Sequence, residues 1–214
     1  MTRILTWLVA VACLLPAAAW AYPQPAQGKL LVATEVVQGE MFAKTVVLLL
    51  HYDDTGAFGL VVNRPTDVRL DELLAEEDLI EGYHGTLFWG GPVQMGTLRA
   101  LMHTDEPPES AEKIIDSVYL VAFDDAVELD SAEPATLRLY IGYAGWAPGQ
   151  LDFEMARGSW RVLPATDDLV FAAEPETLWK KLAPAQEQRA AAQLLQGHAR
   201  YTAPRGDVQI ATEM

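Results

Sequence analysis

Two histidines and one aspartate are the residues of this chain with a spacing that could do metal chemistry. In the stretch "HYDD", His51 and Asp53 stand two apart, so on a strand both side chains point to one face. With His103 from another segment they form a two-histidine, one-carboxylate set, the donor pattern of a metal-dependent hydrolase. The simpler reading is that each strand ends in polar residues at the rim of a sheet. Nothing in the sequence brings His51 and His103 together, so that simpler reading is favoured.

The stretch "LFWGGPVQMG", Leu87 to Gly96, poses a second question. Glycine-rich loops cradle phosphates when several backbone N–H groups converge at a helix start, with a lysine following. Here Pro92 removes one N–H, no Gly-Lys-Ser/Thr follows, and the next segment reads as a strand. Gly90 and Gly91 instead suit a tight turn with φ > 0 at one glycine and Pro92 fixing the next φ. Other reaction classes find less support. There is no Gly-x-Ser-x-Gly elbow, Ser159 follows a helical segment, and no His-Glu-x-x-His is present. The acidic run from Asp71 to Glu81 lacks the calcium-loop pattern and reads as a solvated helix face.

The third candidate is "AGWAPGQL", which places Trp146 between two glycines just before a helix. An exposed tryptophan beside free helix N–H groups would suit an anionic or aromatic partner. A core tryptophan packing on a sheet is the favoured alternative, because buried aromatics dominate small cores.

Composition bounds what these candidates can serve. The chain has 214 residues, 50% of them hydrophobic, enough to bury a core as one domain with tails. Lys+Arg number 15 against 30 Asp+Glu, a net charge of −15. That balance opposes nucleic-acid binding, which depends on lysine and arginine replacing counterions. Arg3, the apolar run "ILTWLVAVACLL", Pro16 and the small-x-small triplet Ala19-Trp20-Ala21 form a secretory signal with expected cleavage after Ala21. An uncleaved anchor fits less well, since the run is shorter than the ~20 residues a spanning helix needs. A lipid-anchored Cys13 is discounted because Ala10 stands where such signals carry Leu, and apolar sequence continues beyond it. Cleavage would remove Cys13, the single cysteine, and with it any disulfide or thiolate chemistry.

The elements that must position these residues are mostly strands. Lys29–Ala33, Lys44–Tyr52, Phe58–Asn63, Thr86–Trp89, Leu98–His103, Ile114–Phe123, Leu137–Tyr143 and Trp160–Leu163 read as strands from their apolar runs or alternation. Lys44–Tyr52 is too continuously apolar to be half exposed and should be central. Pro65 is expected to stop a strand, with Asp67 capping a helix over Arg69–Glu77. Further helices are expected from Pro148 to Ala156 and from Glu176 to Leu182, with a short acidic helix or turn at Asp124–Leu129. Strands mixed with short helices, without regular alternation, indicate α+β.

Four blocks carry a family resemblance. "GEMFAKTVVLLLHYDD", "GAFGLVVNRP", "GGPV" and "GYAGWAPGQLDFEMARGSW", in this order and spacing, closely resemble the YqgE/AlgH family over about Gly28 to Leu182. The resemblance implies a single α+β domain whose mixed β-sheet folds into a pseudo-barrel with short flanking helices. It implies no established activity and no cofactor, and one member's name carries the label of transcriptional regulator. Three features depart from the family: the secretory signal, the segment "QMGTLRALMH" in place of a polar turn after GGPV, and the long extension after Leu182. Residues in these blocks that could face a ligand are Asn63, Arg64, Gly90, Gly91, Pro92, Trp146 and Gln150.

The expected organisation is a signal peptide over 1–21, a leader over 22–27, the domain over 28–183 and a helix-prone tail over 184–214. The expected function is that of an exported, non-catalytic interaction protein, periplasmic or secreted, with a protein partner in the envelope. No nucleic acid and no membrane anchor after cleavage are expected. The alternatives are a transcriptional regulator, as the family label suggests, and a metal-dependent hydrolase using His51, Asp53 and His103.

Overall fold

Residues 23–69, 85–122 and 137–183 are described by a computed structural model. The signal segment, residues 70–77 of the expected helix after Asp67, the acidic segment Asp124–Leu129 and the tail from residue 184 lie outside the described residues.

Among the described residues ten strands form one sheet. They are β1 (Lys29–Ala33), β2 (Val46–Asp53), β3 (Gly56–Val61), β4 (Pro65–Arg69), β5 (Thr86–Trp89), β6 (Val93–His103), β7 (Glu112–Ile115), β8 (Val118–Val121), β9 (Leu137–Trp146) and β10 (Trp160–Pro164). Their main path runs β10-β1-β2-β3-β9-β6-β8-β7, with β5 on β9 and β4 on β5. The β5–β9 pair is parallel and the remaining ladders are antiparallel. Among the described residues three short helices flank the sheet: α1 (Gln150–Ala156), α2 (Asp167–Val170) and α3 (Leu178–Leu182), the last entered through a 3-10 turn at Pro175–Thr177. The mixed sheet with short helices matches the expected α+β class, with strands dominating.

The continuous apolar run in β2 is explained by burial on both faces. Val46, Leu48 and Leu50 join one core, roofed by Val170 and Leu178 of the C-terminal helices. Val47 and Leu49 join another, closed by Leu151 of α1, Trp146 and Trp160. A strand with helices on both sides has no face that needs polar residues.

The sheet also curls. β1 and β7 are far apart along the strand path, yet Gln27 Nε2, just ahead of β1, donates to Glu112 Oε1 on β7 at 3.0 Å. Leu30, Leu101, Ile114 and Val118 share one core for the same reason. The result is a half-barrel, the pseudo-barrel that the family resemblance implies.

Four local expectations are corrected. Asp67 caps no helix: it lies inside β4, where Pro65 opens an edge strand that needs no N–H at that position. The single strand expected over Ile114–Phe123 is a hairpin, β7 and β8, turned at Asp116 with φ 30°. Helix α1 starts at Gln150 and not at Pro148, after Gly149 in the left-handed region at φ 72°. β6 begins at Val93, immediately after the glycine corner, and is far longer than the segment expected from Leu98.

Candidate functional site

Most polar residues of the family blocks are committed to holding the fold. Asn63 is 5% exposed; its Oδ1 accepts from Val46 N at 2.7 Å and its Nδ2 donates to Lys44 O at 3.0 Å. The Arg64 guanidinium donates to the carbonyls of Met41 at 2.6 Å, Glu40 at 2.9 Å and Ala43 at 3.0 Å, and lies over the Trp89 ring. Both side chains therefore clamp the loop that feeds β2. Burial pulls the Arg64 guanidinium below its ordinary pKa.

The glycine corner is a junction between strands. Gly90 N donates to Ile141 O on β9 and Gly90 O accepts from Val61 N on β3, each at 2.9 Å. β9 leaves β5 after Ile141 and reaches β3 at Ala144, and Gly90 fills the gap. Gly91, at φ 149°, sits so close that a Cβ would overlap the Tyr143–Ala144 peptide. Gly142, at φ 67°, meets the corner from the other side, against Gly91 O. Pro92 is exposed beyond the turn. The backbone N–H of Gly90 is bonded to β9, so the corner does not present the convergent donors of a phosphate cradle.

The Trp146 block closes on a residue that sequence reading missed. Trp146 is 7% exposed, which corrects the exposed-aromatic alternative. Its Nε1 donates to Glu154 Oε2 at 2.9 Å, and Trp160 Nε1 donates to the same oxygen at 2.7 Å. Gln150 Nε2 donates to the other oxygen, Oε1, at 3.0 Å, while its own Oε1 accepts from Ala147 N at 3.1 Å. The tryptophans at both ends of the block were legible; the carboxylate joining them looked like one acid among many.

The three-residue metal set does not assemble. His51 Nε2 and Asp53 Oδ2 are 3.0 Å apart on one strand face, as their spacing predicts. A bulge in β2 at Leu50 sets that face. His103 instead pairs with Asp167 at the start of α2, 3.0 Å away, and packs on Phe171. Among the described residues no group of three or more histidine, cysteine or acidic side chains could hold a metal ion.

His51 does border a cleft of about 550 Å³. It opens at the rim where the β2–β3 hairpin, β8, β9 and the start of β6 come together. Its wall is a run of rings: His51 stacks on Phe58 at 5.7 Å, and Phe58 meets Tyr143 edge-on at 6.0 Å. The Arg99 guanidinium lies 4.5 Å from the Tyr143 ring centre. β6 supplies Arg99 through a wide bulge: Val93 pairs Tyr143 and Leu98 pairs Ile141, so Gln94–Thr97 arch out of the ladder. Gln94, at φ 51°, turns back and its Oε1 accepts from Arg99 Nη2 at 3.0 Å. Arg99 Nη1 is shut off from solvent with no acceptor.

Among the described residues of the cleft no nucleophile is poised against a base. Asp53 Oδ1 accepts from the Thr55 hydroxyl at 2.6 Å and from Thr55 N at 2.8 Å, so that hydroxyl proton faces the carboxylate and not the imidazole. These bonds, with His51 adding less, hold the Asp53 carboxyl below its ordinary pKa. A second hollow, of about 750 Å³, lies between the leader at Pro23–Pro25, α1 and β10. Beside it Tyr52 donates to Asp152 Oδ1 at 2.5 Å, a bond that raises the phenol pKa.

Known proteins resemble the chain over this same span. The family model described as DUF179, AlgH-like, matches residues 30–191. A UPF0301 protein of Streptomyces avermitilis is 34% identical over 161 residues, covering 72% of this chain and 83% of the relative. A UPF0301 protein of Idiomarina loihiensis is 32% identical over 166 residues, covering 72% and 88%. The crystal structure of protein DIP2367 from Corynebacterium diphtheriae superposes with a TM-score of 0.65 at 25% identity, covering 75% of this chain and 87% of that one. The solution structure of the AlgH protein from Pseudomonas aeruginosa gives 0.58 at 25% identity, covering 91% and 100%. Matched in sequence over most of its length and in its curled sheet, the chain belongs to the AlgH-like (UPF0301) family, whose function is unknown.

Proposed function

We propose that the chain is an exported, non-catalytic binding protein that acts in the envelope by engaging a partner, most simply a protein. The observation that carries this reading is the cleft at Arg99 and Tyr143. It combines rings, a guanidinium and an exposed amide, yet its one histidine is paired to an aspartate that also takes the neighbouring hydroxyl. Such a lining recognises a ligand without providing a reacting group. The Ala19-x-Ala21 pattern supports export, and a net charge of −15 supports a partner other than nucleic acid.

The transcriptional-regulator alternative gives the opposite expectation on both points. Cell fractionation with N-terminal sequencing separates them: the exported reading expects periplasmic protein beginning at Tyr22 and no retardation of genomic DNA fragments at physiological salt. Full-length cytosolic protein that retards DNA selectively, in a salt-sensitive way, would establish the regulator and remove the exported reading.

A further inference from the structure

We propose that the cleft binds a carboxylate carried on an aromatic or apolar body, with Arg99 taking the carboxylate and the Phe58–Tyr143 wall taking the body. The inference rests on reading this cleft as a binding site and names what enters it.

The argument begins with charge. The chain carries 30 acidic residues against 15 basic ones. Even so, among the described residues no carboxylate pairs with Arg99. Its charge is met by the Tyr143 ring and by a neutral amide oxygen, that of Gln94. A half-buried guanidinium in an acidic protein ordinarily collects an acid, and among the described residues this one has none.

Geometry gives the second step. A carboxylate binds a guanidinium best through two parallel hydrogen bonds. Gln94 Oε1 occupies one such position, on Nη2, while Nη1 has no acceptor. Gln94 is exposed, on the arched segment of β6. Its amide oxygen stands where one carboxylate oxygen would sit, so an entering carboxylate would take its place on Nη2. Stacking on Tyr143 keeps the guanidinium plane fixed during the exchange, so little order is lost on binding.

Shape gives the third step. Phe58, Val93, Leu120 and the bare backbone at Gly145 offer apolar surface beside the guanidinium. A volume of about 550 Å³ lies in the range of small-ligand pockets and is ample for one aromatic residue with its flanking peptide. Free aromatic acids and the C-terminal residue of a partner chain share this chemistry.

Calorimetric titration of the purified protein with N-acetylphenylalanine, with a heptapeptide ending in phenylalanine, and with the same peptide amidated tests the proposal. The expected result is saturable binding of at least one free acid, at least tenfold weaker binding of the amide, and loss of binding in Arg99→Gln. Arg99→Lys, which keeps the charge and loses the two-pronged geometry, should weaken binding by a similar factor. Unchanged melting temperatures in both variants would show that the loss is local. Tighter binding of the peptide than of the small acid would assign a chain end, and equal binding a small acid. Equal affinity for acid and amide, no binding of either acid, or full binding by Arg99→Gln would overturn it. Fractionation is indifferent to these outcomes, so failure here leaves the exported reading standing.

Discussion

Trp146 and Trp160 meet edge-on, ring centres 5.9 Å apart, and donate both indole N–H groups to one oxygen of Glu154. Removing that carboxylate leaves two largely buried donors without an acceptor, at about 1–3 kcal/mol each. Glu154→Leu should therefore destabilise by about 2–6 kcal/mol, lowering the melting temperature by roughly 4–24 °C for a chain of this size. Glu154→Gln, which retains an acceptor, should lose less than half as much. Thermal unfolding followed by tryptophan fluorescence checks both, and equal stability of Glu154→Leu and the parent would contradict the assignment.

The glycine corner makes a paired prediction. Gly91→Ala forces a Cβ into the Tyr143–Ala144 peptide at φ 149° and should cost about 2 kcal/mol or more. Gly96→Ala, on the arched segment with nothing within 4 Å of the new methyl, should change stability by no more than about 0.5 kcal/mol. Chemical denaturation of the two variants distinguishes a junction from a mere loop.

Arg64 holds three carbonyls of one loop, which a single ammonium group does not span with the same geometry. Arg64→Lys should thus behave like Arg64→Ala. In both, amide hydrogen exchange around residues 39–45 should accelerate at least tenfold relative to the centre of β2. Exchange confined to the parent rate in Arg64→Lys would show that charge alone suffices.

The Asp53 carboxyl is held below its ordinary pKa chiefly by Thr55. A carboxyl lowered on folding adds stability above its unfolded pKa, and that contribution is lost as pH falls through the lower folded value. Thr55→Val, which removes the hydroxyl bond, should raise the Asp53 midpoint in an NMR titration and make the acid-side loss of stability smaller and complete at higher pH. An unmoved midpoint would place the cause elsewhere.

What the sequence made legible follows from how local each signal is. The doubly buried β2 and the pairing of His51 with Asp53 depend on neighbours within a few residues, and both were readable. Pro65 does follow the end of β3, which stops at Val61 as expected; that Pro65 also opens an edge strand depends on partners the sequence does not name. Asn63 and Arg64 were picked out for their motif, but their role lies in a loop some twenty residues upstream, where they bond backbone. Arg99 drew no notice as one scattered basic residue. Its position arises from a bulge in β6 and from Tyr143 on another strand, neither of which leaves a mark on the residues beside it.

Strand β9 also sets a timetable. It joins β3 on one side and β6 on the other, so among the described residues the N-terminal strands and the β6–β8–β7 group have no ladder to each other until residues 137–146 are available. Contacts that close late and span long stretches of chain make folding slow and leave open edges in the meantime. A chain ending before Leu137 should remain unable to complete its sheet and should associate through the bare edges of β3 and β6, detectable as light scattering on refolding. A full-length chain emerging in order would then acquire its native curvature only once its last third has appeared, which makes the Gly142 kink, where β9 changes partners, the place where the two halves become one molecule.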